Sequence, residues 1–478
     1  MSSSPTIYYG PVFNPETLTS YKALPSCLFS VGPSGNIDWI VDDVAEHMLQ
    51  ETLAQKGCID VNVTTLKTGE FFVPGFIDTH THASQFPNLG SGQQYELPDW
   101  LNHVTFPTES KFSDLDFARR TYESVVRRVI DGGTTTCCYY ATLHLEATKI
   151  LVDIVQANGK SQRAFVGKCN MNRESPDYYR ECSVEASVTD TKQLITYIRS
   201  LHAATNSNSS YPLVQPILTP RFAISCTPEL LTSLGELAVQ DPALHIQTHI
   251  SENKSEIAYT KTLFPQAPHY AGVYDSFGLL RSNTVLAHAV HLEAPEIELI
   301  AQRGAGISHC PTSNFNLSSG VAPIGVYLDR GIKVGLGTDV SGGFSPSILN
   351  CVQNASIASK IVAMQCQHKN NVEKPQFAGR QLSVATLFYL ATLGGAQVCD
   401  MDKQVGSFAP GKSFDALLVN LRNDAGNPGI WSLESDADVR GTGVLDGLLE
   451  RFLFCGDDRN ISRVYVQGRF VGGKSFRA

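Results

Sequence analysis

The chain has 478 residues, enough for a large core, and its 42% hydrophobic and 17% charged residues mark a folded protein rather than a disordered one. Its 37 Lys and Arg against 46 Asp and Glu leave a net charge of −9, removing the broad attraction that nucleic acid or an anionic membrane surface needs. Apolar runs break off before the roughly 18 residues that a membrane-spanning helix requires, so no span is expected. The 12 cysteines form no C-x-x-C and no small-domain framework, which fits reduced thiols. Met1–Pro5 has neither a charged nor an apolar leader region, and Phe476–Ala478 matches no C-terminal address; a cytosolic location is expected.

In chain order, the first segment offers short β candidates at Thr6–Tyr9, Leu28–Val31, Ile37–Val41 and Ile59–Thr65, joined by tight turns such as Pro33–Asn36. The pattern then changes. Strand candidates at Val73–His80, Thr134–Ala141, Arg163–Asn170, Val214–Phe222, Leu244–Ile250, Thr284–Val290, Gly304–Pro311 and Lys333–Asp339 alternate with helical stripes such as Val125/Val126/Val129/Ile130 and Leu230/Leu231/Leu234/Ala238. Eight strands with interleaved helices predict a (β/α)8 TIM-type barrel, although an open doubly wound sheet has the same periodicity. The polar residues favour the barrel, because His80, His82, Arg221, His249, His288, His309 and Asp339 fall at or just beyond strand C-termini. Further strands are expected at Ala416–Asn420 and Val464–Val471, with a tight turn at Gln467-Gly468. Neither flank can bury a two-sided sheet alone. The expected organisation is therefore a small discontinuous β-sandwich domain built from both termini (1–70 and 404–478) around a barrel at 71–403. The polar stretch Thr205–Ser210 reads as an exposed loop.

The most informative stretch is Pro74–Gln85, where an apolar strand ends in His80-Thr-His82. Residues i and i+2 of a strand share a face, so both imidazoles can converge on one point. Alone, such a pair is also compatible with two polar strand ends bonded to loop backbone. His249, His288 and Asp339 at other strand ends shift the reading to a catalytic metal centre, which needs about three protein ligands and an open position. His80, His82, His249 and Asp339 meet that need, as ligands of a single Zn2+ or, less readily, Fe2+. His288 is read as hydrogen-bonding water or substrate, with ligand and packing roles left open. A second metal would want another anionic bridge, and between Asn206 and Thr260 the sole lysine is Lys254, beyond a strand end. His309 and Cys310, adjacent in a strand, project to opposite faces and are given supporting roles. Gly406–Ser413 spells a P-loop, but a strand-like Phe414–Val419 follows it where a helix should begin, which argues against nucleotide binding.

At these residues the sequence resembles the amidohydrolase superfamily and, within it, the guanine deaminase family. The resemblance is carried by Pro74–Gln85, Asp99–Leu101, Thr105–Glu109, Thr219–Phe222, His249–Glu252, Ser308–Asn314 and Gly337–Asp339, and it spans the barrel. It implies a zinc-dependent hydrolysis of guanine to xanthine and ammonia by a homodimer, without nucleic acid or membrane partners. It implies that Asp339 takes a proton from water, that Glu252 acts as general acid and shuttle, and that His288 assists. Substrate contacts are implied at His82, Ala83, Ser84, Gln85, Arg221, Phe222, His249, Glu252 and Asp339, with Arg221 facing the purine 6-position. A structural ion pair is the rival reading of Arg221. Asp99–Glu109 is expected either to fold over the site or to serve as a packed loop or subunit contact. Two alternatives share the metal residues: a related hydrolase acting on another aminopurine, a pterin or a triazine, and a non-catalytic scaffold on the same fold.

Overall fold

A computed structural model describes residues 5–59, 61–157, 161–204, 212–366, 375–431 and 442–476. The expected loop Thr205–Ser210 lies outside them. Five strands come first: β1 (Thr6–Thr17), β2 (Ser20–Val31), β3 (Ile37–Val41), β4 (Val63–Thr65) and β5 (Glu70–Pro74). Nine follow in the centre: β6 (Phe76–His82), β7 (Thr134–Tyr140), β8 (Arg163–Gly167), β9 (Cys169–Asn170), β10 (Val214–Pro220), β11 (His245–Ile250), β12 (Thr284–His288), β13 (Gly306–His309) and β14 (Lys333–Leu336). The last three are β15 (Ala416–Asn420), β16 (Ile461–Val466) and β17 (Arg469–Gly472).

The central strands pair in parallel in the order β6-β7-β8-β10-β11-β12-β13-β14, and β14 returns to β6 through Leu336 opposite Asp78, closing the barrel. Short β9 continues β8 along β10. Each of the eight expected barrel strands is present. The stretch expected as one strand from Val73 is two, because β5 leaves the barrel and pairs antiparallel with β15 while β6 begins at Phe76. The terminal sheet therefore runs past the expected 1–70 segment. Its order is β17-β16-β15-β5-β1-β2-β3, with β4 on β1, so both ends of the chain build one curled sheet. The expected strand at Val464–Val471 is a hairpin turning at Gln467-Gly468.

Period-two alternation explains how that sheet is buried on both faces. Phe71 and Val73, Leu417 and Val419, and Val464 and Val466 join the core shared with the barrel. Their neighbours Phe72, Ala416, Leu418 and Tyr465 join a second core with Tyr8, Phe29 and Phe414. Electrostatics add a tie, since Arg163 of β8 donates through Nε to Asp415 Oδ2 at 2.6 Å, with both side chains buried. Lys412 of the P-loop-like stretch donates to Ser407 Oγ at 2.7 Å, and β15 follows rather than a helix.

The barrel seam shapes the region that matters most. Asp78 Oδ1 accepts from Thr338 N at 3.0 Å and its Oδ2 from Thr338 Oγ1 at 2.5 Å, while Asp339 N donates to His80 O at 2.9 Å. These bonds continue the β6–β14 contact past the formal end of β14. Gly337 is required there, because a Cβ would lie 2.4 Å from Ser308 Oγ and 3.0 Å from His80 Cβ. Replacing Asp415 with Ala leaves Arg163 as an uncompensated buried cation and is expected to lower stability by about 3–5 kcal/mol, measurable by urea unfolding.

Candidate metal centre and substrate cavity

His80 and His82 end β6, His249 lies in β11, His288 ends β12, and Asp339 follows β14. One ligand atom each from His80, His249, His288 and Asp339 lies within 4.8 Å of every other. His82 approaches the same point, its Nε2 3.1 Å from His249 Nε2 and 3.4 Å from Asp339 Oδ1. This foursome includes His288, for which the sequence favoured hydrogen bonding but left a ligand role open, and five groups crowd one centre.

The donor chemistry fits a cation. His249 Nδ1 lies 2.5 Å from Arg221 O and His288 Nδ1 3.0 Å from Asn314 Oδ1, contacts that place a proton on each Nδ1 and free each Nε2 as a donor to metal. His80 Nε2 is 3.1 Å from Asp339 Oδ1 yet lacks hydrogen-bond geometry, and both its ring nitrogens are buried without a hydrogen-bond partner. Two imidazole nitrogens facing each other at the His82–His249 separation need a proton or a cation between them. Burial lowers the pKa of His80, His82 and His249, the last two further through neighbouring imidazoles, which favours the neutral rings that bind metal. Burial disfavours ionised Asp339, but the surrounding histidines outweigh it and hold the carboxyl well below its usual range. Backbone strain accompanies the cluster, with φ of 74° at His288 and 46° at Asp339. Tyr140 of β7 packs against the histidines, its ring centroid 4.7 Å from His80 and 4.6 Å from His82.

Beside the cluster opens a small cavity. It is lined by His82, Gln85, Arg221, Phe222, His249, Glu252, His288 and Asp339, and by Glu256, Leu97, Trp100, Leu101 and Leu317. The first eight were all anticipated from sequence. Ala83 and Ser84 are fully buried in the turn after β6 and do not line the cavity, and His80 sits behind it. Leu97, Trp100 and Leu101 bring the segment after β6 to the wall of the cavity, where Leu97 and Trp100 pack with Leu317. His309 lines a different cavity, with Ile324, Phe377 and Arg380.

Glu252 Oε2 lies 3.4 Å from His288 Nε2, and its Oε1 accepts from Ser319 Oγ at 3.0 Å. Burial pushes the Glu252 carboxyl up to about 7, so its acid form persists close to neutral pH. Burial also opposes protonation of His288, but the Glu252 and Asp339 carboxylates outweigh it and raise its pKa. Across the cavity, Arg221 forms a two-point contact with Glu109, Nη1 to Oε2 at 2.7 Å and Nη2 to Oε1 at 3.2 Å. The ion-pair reading and the cavity-lining reading of Arg221 therefore both describe it. Sequence reasoning gave no role to Glu109, Tyr179, Asn314 or Ser319. Two of them, Glu109 and Asn314, stood in quoted motifs, but their contacts span from 24 to 112 positions along the chain and leave no local pattern.

The sequence model of the amidohydrolase family matches residues 71–471. A probable guanine deaminase of Schizosaccharomyces pombe is 44% identical over 93% of this chain and 80% of its own length. The guanine deaminase of Dictyostelium discoideum is 39% identical over 97% and 98%. Among solved structures, guanine deaminase from C. acetobutylicum, with guanine bound in its active site, superposes with a TM-score of 0.82 at 34% identity, covering 98% of this chain and all of that one. Asn314→Ala removes the acceptor that orients His288 and is expected to lower metal affinity or activity by about 10–100-fold, measured by chelator competition and turnover.

Proposed function

We infer that this chain, which belongs to the amidohydrolase family and within it to the guanine deaminases, is a hydrolase that converts guanine and water to xanthine and ammonia. The observation that carries the reading is one cavity holding an arginine donor, a glutamine amide, a buried carboxyl and, beside them, a histidine–aspartate cluster able to hold a metal. The metal is proposed to be a single zinc ion held by His80, His82, His249 and Asp339, with His288 close enough to share the centre. When bound, it supplies the Lewis acidity that makes water a nucleophile near neutral pH.

Each remaining task falls to a residue of the chain. Arg221 only donates hydrogen bonds, so it satisfies the carbonyl oxygen at the purine 6-position and opposes an amino group there. Gln85 presents a donor and an acceptor to the edge of the ring that carries both. Phe222, its ring 6.4 Å from that of His249, contributes an apolar wall. Asp339 accepts the proton released by water. Glu252, whose acid form persists close to neutral pH, delivers its proton to the ring nitrogen; the proton that Asp339 took from water passes to the departing amine at the purine 2-position, and the hydroxyl proton lost as the new carbonyl forms returns to Glu252. His288 hydrogen-bonds to the attacking oxygen and to Glu252. Trp100 and its neighbours exclude bulk water, which strengthens every polar contact inside. The full proposal is a cytosolic homodimer with one zinc per subunit; net charge and free thiols support the compartment, and family membership supports the dimer.

Guanine loss followed by absorbance, with xanthine and ammonia formed in equal amounts by metal-loaded protein, tests the reaction; a fully loaded protein that leaves guanine unchanged refutes it. Glu252→Ala is expected to keep its metal while kcat falls by roughly two to four orders of magnitude. Arg221→Ala is expected to lose most of kcat/KM for guanine, and an unchanged value would remove Arg221 from recognition.

A further inference from the structure

Glu109 is fully buried at the end of the short helix Phe106–Glu109. Its two oxygens accept four hydrogen bonds. Oε2 takes Arg221 Nη1 and Tyr179 OH, each at 2.7 Å, and Oε1 takes Arg221 Nη2 at 3.2 Å and Gln85 Nε2 at 2.9 Å. On its other side, Gln85 Oε1 accepts from Ser341 N at 3.2 Å. Phe106, three residues before Glu109, brings its ring centroid to 5.5 Å from Arg221 Cζ. Glu109 itself does not line the cavity, whereas Arg221 and Gln85 do.

We infer that Glu109 is the positioning residue that sets purine selectivity, by fixing which polar atoms Arg221 and Gln85 present to the substrate; the inference rests on the guanine reading above. An ionised carboxylate only accepts hydrogen bonds, so every partner must turn a donor toward it. For Gln85 this decides the orientation of the amide. A flipped amide would set its oxygen against a carboxylate oxygen and its NH2 group against the Ser341 N–H. For Arg221 the two-point contact fixes the plane of the guanidinium and leaves three of its five N–H groups for other partners, at no net charge to the pair. Guanine, with a carbonyl at position 6, satisfies a fixed donor. A 6-amino group would turn N–H against N–H in a buried site.

Glu109→Gln tests this because glutamine is nearly the same shape but both donates and accepts, so it releases the amide orientation and removes the counter-charge of Arg221. The readout is the ratio of kcat/KM for guanine to that for 2,6-diaminopurine, which keeps the reacting 2-amino group and differs at position 6. The ratio is expected to fall about tenfold or more, with bound metal unchanged, because the hydrogen bonds of Glu109 go to Gln85, Tyr179 and the Arg221 guanidinium and none to the metal cluster. An unchanged ratio in an active variant overturns the role, since a purely structural glutamate would move thermal stability and leave selectivity alone. Where Glu109→Gln does not fold, Tyr179→Phe removes one hydrogen bond and no charge from the same carboxylate; the ratio is then expected to fall a few-fold, and no change again overturns the inference. A metal-loaded wild-type protein inactive on both purines would refute the guanine reading itself, so the two failures are distinguishable.

Discussion

The structure depends on holding at least four metal-seeking groups, buried and mostly neutral, around one point where each lacks a full complement of hydrogen bonds. A buried imidazole nitrogen without a partner costs stability, and here His80 leaves both of its nitrogens in that state. Strained backbone at His288 and Asp339 adds to the cost. Such an arrangement persists only where the surroundings over-determine it. The closed barrel does so through eight parallel strands whose C-termini converge and through the bonds that tie Asp78 to Thr338 and His80 to Asp339 across the seam. Bound metal recovers part of the cost by satisfying the free nitrogens, which links metal loading to folding stability.

What was legible in the sequence follows from the range of each physical signal. Barrel strands were readable because a strand buried on both faces is a short apolar run, and His80 and His82 were readable because the two-residue repeat puts them on one face. The eight cavity-lining residues anticipated from sequence stand at strand ends or just beyond them. Signals that depend on the far side of the fold were not readable. The outer halves of β1 and β2 carry polar residues and prolines, so their length emerges only through their mutual pairing. Phe71 and Val73 look like the start of a barrel strand until β15 claims them from the other end of the chain. Glu109 sat in a quoted motif without a role, because its meaning lies in Arg221, 112 positions away.

The cavity divides into two electrostatic halves built on different rules. One is the cluster of imidazoles around the Asp339 carboxylate, in which burial favours neutral His80, His82 and His249, a donor set that matches a divalent cation. The other is Arg221 with Glu109, a buried pair whose charges cancel. An isolated buried arginine would attract any anion and would be costly to bury, whereas a neutralised one keeps its directional donors without a long-range field. That suits an uncharged purine, which must be recognised by the pattern of its edges rather than by charge.

The segment after β6 joins these halves. Leu97, Trp100 and Leu101 line the cavity, and a few residues later the same stretch brings Phe106 and Glu109 to Arg221. One short piece of chain after β6 therefore supplies both apolar cavity wall and the carboxylate bonded to Arg221 and Gln85. Hydrogen-bond discrimination between a carbonyl and an amino group is strong only in a site closed to solvent, because water can satisfy the mismatched group. Cavity wall and anchor lie on a single segment, which ties the two requirements together in the fold.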